Sequence, residues 1–239
     1  MTDPAAQFDA IAQRYDEVLN TGLAVTGETK EYFARTRVRW LEQRLRAMDV
    51  HPRRILDFGC GTGSTVPLLR EAFSPDEIIG ADVSEASLGE ARQRYRDART
   101  SFCDVRELDA VDSFDLVFAN GVLHHIPPAQ RPQTWAAIAR WLAPQGVFAL
   151  WENNPINPGT RWVMSRLPFD RDAVPLRPAE SRRGAMSAGL TVISTDHLFF
   201  FPAMLRWLRP LEPFLRRVPL GGQYLVLCRK PASDRRNVA

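Results

Sequence analysis

The chain has 239 residues, 45% of them apolar, with 31 Lys and Arg against 28 Asp and Glu, a net charge of +3. This excludes a disordered chain and suffices for one α/β domain with a sizeable core, while the small net charge gives no ground for a nucleic-acid partner. Three scattered cysteines make neither a disulfide framework nor a zinc site, the first residues are polar rather than an export signal, and no apolar run nears the ~20 residues that span a bilayer.

A reducing cytoplasm is therefore the expected location, without stable membrane insertion. Residues 1–50 precede the first core strand. Phe8, Ile11, Ala12 and Tyr15 recur at helical spacing, and a second helix is expected from Glu28 to Met48. Both helices can cover a sheet. Alternatively the first is a lid, with Tyr15 and Asp16 reaching into a site. Strand 1 is Arg54 to Phe58, and a helix from Ser64 to Phe73 follows a glycine turn. Strand 2, Glu77 to Ala81, ends in Asp82. Ser84 caps a helix over Glu85 to Ala98. Strand 3 lies around Thr100 to Cys103 and ends in Asp104. Phe114 to Ala119, nearly all apolar, suits a strand buried on both faces. Arg131 to Leu142 reads as a helix, and Val147 to Trp151 as strand 5, ending in Glu152.

The last third is less regular. Asn153 to Arg177 is Pro-rich, with a short helix near Arg161 to Arg166. A helix from Ala179 to Ala188 stops at Gly189. Strand candidates follow at Thr191 to Phe201 and Gln223 to Cys228. Their connection is long enough to suggest an antiparallel addition to the sheet edge. Between them, Met204 to Val218 mixes Trp207 and leucines with Arg206, Arg209, Arg216 and Arg217. It reads as a membrane-surface helix or anionic clamp, or as a lid or dimer contact with a solvated basic face. The alternation of strands and helices implies one domain over 1–239: helices or lid over 1–50, a core over 51–152, and a substrate loop with late strands over 153–239. The sheet is parallel and doubly wound, with helices on both faces.

Function is read from the strand tips. Asp57-Phe-Gly-Cys-Gly-Thr-Gly63 places Gly59, Gly61 and Gly63 between an acid and a helix. Glycines let the backbone turn tightly and approach a ligand, and the helix start offers unsatisfied N–H groups. Asp82, about 20 residues on, stands where a carboxylate meets a ribose diol. Asp57, Asp82, Asp104, Asn120 and Glu152 all fall at the ligand-binding ends of strands.

These residues, with Phe114 to Ile126, resemble the class I S-adenosylmethionine-dependent methyltransferases. The resemblance implies a Rossmann-like α/β fold, a seven-stranded, mostly parallel sheet with an antiparallel last strand, and S-adenosyl-L-methionine as cofactor. It implies that Gly59, Cys60, Gly61 and Gly63 pass under its methionine part and that Asp57 positions its amino group. Asp82 would hold the ribose, with Val83 against the adenine. Asp104 would meet the adenine amino group, with Cys103 and Val105 beside the ring. Asn120 and Gly121 would line the methionine side, and Tyr15 belongs to the lid. No metal site is expected. Glu152 to Pro158 and Pro219 to Tyr224 resemble a subgroup of small bacterial methyltransferases.

His124 and His125 follow strand 4, and an ordinary imidazole suits base work near neutrality. They are the base candidates, with Glu152 next. Each has a structural alternative: one histidine packs the loop, and Glu152 bonds loop backbone. Asn153, Asn154 and Asn157 can bind substrate or serve as turn residues. Trp162, Met164, Phe169 and the Trp207 region can wall an acceptor pocket or be core. The expected function is methyl transfer to the oxygen or nitrogen of a small-molecule acceptor in bacterial secondary or glycan metabolism, by a monomer or homodimer. The alternatives are a tRNA or protein methyltransferase, or a silent cofactor-binding regulatory subunit. The small charge and the lack of an Asn/Asp-Pro-Pro-Tyr-like motif after strand 4 weigh against the first.

Overall fold

A computed structural model describes Asp9, residues 21–167 and residues 173–232. Tyr15, Asp16 and Phe169 lie outside the described residues, so the lid reading of the first segment does too. Seven strands form one sheet: β1 (Arg54–Phe58), β2 (Glu77–Asp82), β3 (Thr100–Asp104), β4 (Phe114–Asn120), β5 (Leu142–Asn153), β6 (Thr191–Leu198) and β7 (Gln223–Arg229). Their order is β3-β2-β1-β4-β5-β7-β6. β7 runs antiparallel to both β5 and β6, and the other neighbours are parallel. The expected antiparallel addition of two late strands at the sheet edge is thus present. β7 is inserted between β5 and β6, and β6 forms the edge. β7 is buried along Tyr224 to Cys228, an apolar run that suits an interior position.

Alternate side chains divide between two cores. On β5, Val147, Ala149 and Trp151 face one core, and Phe148 and Leu150 face the other. Helices α1 (Lys30–Arg46), α2 (Val66–Phe73) and α3 (Glu85–Tyr95) cover the first core through Leu41, Leu45, Leu69 and Leu88. Helices α4 (Arg131–Trp141) and α6 (Pro178–Ser187) cover the second, through Trp135, Ile138 and Ala185; α5 (Pro158–Met164) lies between α4 and α6 in sequence.

Local chemistry sets the helix ends. Thr29 caps α1 by accepting from the Tyr32 N–H, and Ser84 caps α3 by accepting from the Ser87 N–H. Asp9 joins the second cap: its carboxylate accepts from Ser84 Oγ at 2.5 Å and from the Ala86 N–H at 3.2 Å. The helix expected from Ser64 begins at Val66, with Pro67 in its first turn. Residues 203–211 form 3₁₀ turns that lead into the short α7 (Glu212–Leu215), so Pro210 and Pro213 do break the long amphipathic pattern.

Candidate functional site

Two cavities meet at the carboxyl ends of the central strands. The larger, about 530 Å³, is bounded by the turn after β1, the ends of β2 and β4, and Val105 with Arg106 after β3. The second, about 390 Å³, lies between α1, α5 and residues 199–202. They share Lys30, Arg37, Asn120, Gly121 and His125.

The three glycines do different work. All have positive φ, which favours glycine. A Cβ on Gly59 would lie 2.3 Å from Val122 Cγ2, whereas one on Gly61 would meet no atom within 4 Å. Gly61 therefore presents bare backbone to the large cavity. Gly63 is not part of its wall. A Cβ there would press at 3.1 Å on Ala91, Tyr95 and Phe102, so this glycine lets α3 and β3 pack beneath the turn.

Asp57 is 2% exposed, and its Oδ2 has no hydrogen-bond partner among the described residues. Burial, with Asp82 nearby as a second negative charge, pushes its carboxyl up to about 7. The Asp82 carboxyl is also raised by burial, while backbone N–H donors oppose the shift. Its Oδ2 accepts from the Gly61 N–H at 2.8 Å and its Oδ1 from the Ser84 N–H at 3.0 Å. These bonds aim the carboxylate into the large cavity, beside Val83. Cys60 lines the same cavity, and burial raises its thiol well above the usual range.

Asp104 and Cys103 do not reach this cavity. Asp104 caps the following turn, accepting from the Arg106 N–H at 2.8 Å and from Arg106 Nε at 2.9 Å. The guanidinium holds the Asp104 carboxyl below its usual range. Arg106 itself lines the cavity where the acid was expected. Cys103 is half-buried against the second core instead.

The histidine pair separates cleanly. His124 is buried, its Nδ1 2.5 Å from Glu152 Oε2, and Glu152 Oε1 accepts from the Leu123 N–H at 2.8 Å. Glu152 is 2% exposed and lines neither cavity. It acts as a clamp on the loop after β4, not as a group facing an acceptor. His124 lines the second cavity but is held by that clamp. His125 reaches both cavities, its ring 4.1 Å from that of His124. Burial, reinforced by His124, pushes His125 down to about 3, so its ring is neutral near pH 7 and a weak base. This counts against the expected general base.

The asparagines also divide. Asn154 is fully buried and ties the 219–222 loop by donating to Pro219 O and Gly221 O, so it is structural. Asn157 caps α5 by accepting from the Thr160 N–H and donates to Leu220 O, while still lining the second cavity. Asn153 lines it as well, accepting from Gln223 Nε2. The expected apolar walls include Trp162 and Met164, joined by Tyr32, Phe199 and Phe201.

Lys30, Arg37 and Arg106 are lining residues that sequence reasoning missed. Lys30 and Arg37 stand seven apart on α1, so they share a face with Phe33. That spacing was the available signal, but the helix read as a sheet cover.

A family model described as "Methyltransferase domain" matches residues 56–148. A trans-aconitate 2-methyltransferase of Acidovorax sp. is 34% identical over 189 residues, covering 70% of this chain and 72% of the relative. A malonyl-[acyl-carrier protein] O-methyltransferase of Halorhodospira halophila is 34% identical over 146 residues, covering 58% and 44% respectively. Among solved structures, an S-adenosylmethionine-dependent methyltransferase from Mesorhizobium loti superposes with a TM-score of 0.59 at 22% identity, covering 79% of this chain and 96% of the other.

Proposed function

Given that this chain belongs to the class I S-adenosylmethionine-dependent methyltransferases, we propose that its acceptor is a small carboxylic acid, methylated on a carboxylate oxygen. The observation that carries this reading is the pair Lys30 and Arg37 on one face of α1, at the junction of the two cavities. Two cations there favour an anionic acceptor. Arg37 donates its Nε–H to Gln223 Oε1 at 2.9 Å, which orients the guanidinium, and guanidinium groups bind carboxylate oxygens through paired N–H donors. The names of the relatives agree, since trans-aconitate and a malonyl group both carry carboxylates.

The large cavity suits the cofactor in its donor set. Gly61 leaves a cradle that any side chain would fill, and Asp57 offers a buried oxygen lacking a partner among the described residues. In this reading Asp57 takes an ammonium group and Asp82 a diol. Gly59 and Gly61 bring backbone close, and Val83 and Val105 flank the base. Asn120 and Gly121 stand where the two cavities join. Bound S-adenosylmethionine supplies an activated methyl group on a sulfonium.

A carboxylate is already deprotonated at neutral pH, so it needs no general base. That removes the demand that a weakly basic His125 could not meet. Its neutral ring can donate one hydrogen bond to the acceptor and helps exclude water. His124 and Glu152 hold the loop that carries it. Positioning then supplies the catalysis, with up to about 7–11 kcal/mol available from well-oriented reactants. The test is kinetic. Arg37→Met should raise KM for acid acceptors by roughly tenfold to a hundredfold, the loss of ~1.5–3 kcal/mol for a charge-assisted hydrogen bond. The cofactor dissociation constant should change much less. A loss confined to cofactor affinity would remove Arg37 from the acceptor.

A further inference from the structure

Residues 203–220 carry exposed apolar side chains that line neither cavity. Met204 and Phe214 are each 83% exposed, Trp207 is 72% exposed, and Leu211 and Leu220 also face solvent. Large apolar side chains exposed together within one short segment mark an interaction site. All of these project into solvent from the 3₁₀ turns, α7 and the loop after it. The segment is held firmly. Glu212 is buried, and its carboxylate accepts from the N–H groups of Phe199, Phe200 and Phe201 at 3.0, 3.2 and 3.3 Å.

That arrangement also decides the charge. Glu212 is the one acid in residues 199–221, and its burial leaves the outward charge of this segment cationic. Arg206 and Arg217 are exposed among the apolar residues. Arg216 is committed to Asp196 and Arg209 to Glu28, so the outward charge rests on Arg206 and Arg217.

We propose that residues 203–220 dock this enzyme on an anionic lipid bilayer surface. The exposed apolar side chains stand beside the exposed cations Arg206 and Arg217, a combination complementary to an anionic lipid surface. Protruding Trp, Phe and Met enter the boundary between headgroups and acyl chains, while guanidinium groups meet lipid phosphates. No helix among the described residues is long and apolar enough to cross a membrane, so attachment is peripheral. The surface adjoins the second cavity, because Phe201 and Pro202 line that cavity and lead directly into it. A docked enzyme would hold its acceptor cavity near the membrane. The proposal stands apart from the carboxylate reading.

The experiment is flotation of the full chain with phosphatidylcholine vesicles, with and without phosphatidylglycerol. Binding is expected to the anionic vesicles, weaker by about tenfold or more on neutral vesicles or in high salt. Trp207→Ser with Phe214→Ser, and separately Arg206→Gln with Arg217→Gln, should each reduce it by a similar factor at unchanged melting temperature. Failure to float with anionic vesicles would overturn the proposal, as would vesicle binding that both variants retain. Sedimentation equilibrium is the second measurement. A dimer that dissociates on Trp207→Ser with Phe214→Ser would assign the surface to a second copy and also overturn it.

Discussion

Asp57→Asn should stabilise the free enzyme while weakening its hold on the cofactor. The wild-type carboxyl moves from an ordinary 3.8 to about 7 on folding, chiefly because it is fully buried. At about 1.4 kcal/mol for each pH unit, ionised Asp57 costs the fold about 4 kcal/mol. The sign follows from proton counts. Between pH ~4 and ~7 the folded protein keeps a proton that the unfolded chain has released. Stability is therefore greatest below pH ~4, falls as pH rises to about 7, and is level above. His125 works in the opposite direction. Its folded value of about 3 lies below its ordinary 6.5, so its contribution is lost as pH falls from ~6.5 towards 3. In the wild type these two slopes oppose one another over much of the acidic range. Asn does not titrate, so the stability difference between variant and wild type isolates Asp57. Urea denaturation without cofactor across this range should show that difference growing by about 4 kcal/mol in favour of Asp57→Asn as pH rises from ~4 to ~7. Calorimetry should show weaker cofactor binding by the variant. A stability difference that stays flat with pH, or shrinks as pH rises, would refute the account of a desolvated carboxyl awaiting a cation.

Gly61→Val should weaken cofactor binding at least tenfold with a stability loss of ~1–3 kcal/mol, since open space surrounds the new side chain and positive φ alone supplies the strain. Gly63→Val should cost more, about 1–3 kcal/mol beyond that strain, by overpacking against Ala91, Tyr95 and Phe102; melting temperatures and calorimetry of both variants check the contrast, which fails if Gly63→Val is the better tolerated in stability. Glu152→Gln should destabilise by about 1.5–3 kcal/mol, because the amide removes the charge and, with its oxygen on the Leu123 N–H, turns an N–H toward His124 Nδ1 where the carboxylate offered an acceptor. Unchanged denaturant midpoints would show that this clamp carries no load.

The parts of the site legible in the sequence were those set by local order. Asp57 and Asp82 lie at the ends of β1 and β2, and Gly59 and Gly61 directly follow β1, so the strand–turn–helix pattern alone delivers them to one end of the sheet. What stayed hidden depends on partners distant in sequence or on side-chain direction. Asp104 sits at a strand tip as expected, yet its neighbour Arg106 captures it. Glu152 meets Leu123 and His124 across 28 or 29 positions, which turns a candidate acid into a loop anchor. Asn154 bonds carbonyls of the 219–221 loop only because β7 returns beside β5. The insertion of β7 between β5 and β6 follows from its buried apolar run, which an edge position would have exposed. The spacing of Lys30 and Arg37 puts them on one face of α1, but a basic helix face carries no sign of what lies opposite it.

The most direct test of carboxylate methylation is the chemistry of the product. The enzyme should be incubated with methyl-labelled S-adenosylmethionine and a set of small di- and tricarboxylic acids, with amines and phenols as comparison acceptors. Carboxylate methylation predicts label transfer to one or more acids as an ester, released as volatile methanol by mild alkali. Label appearing only in an alkali-stable product of an amine or a phenol, with none on any acid, would contradict it.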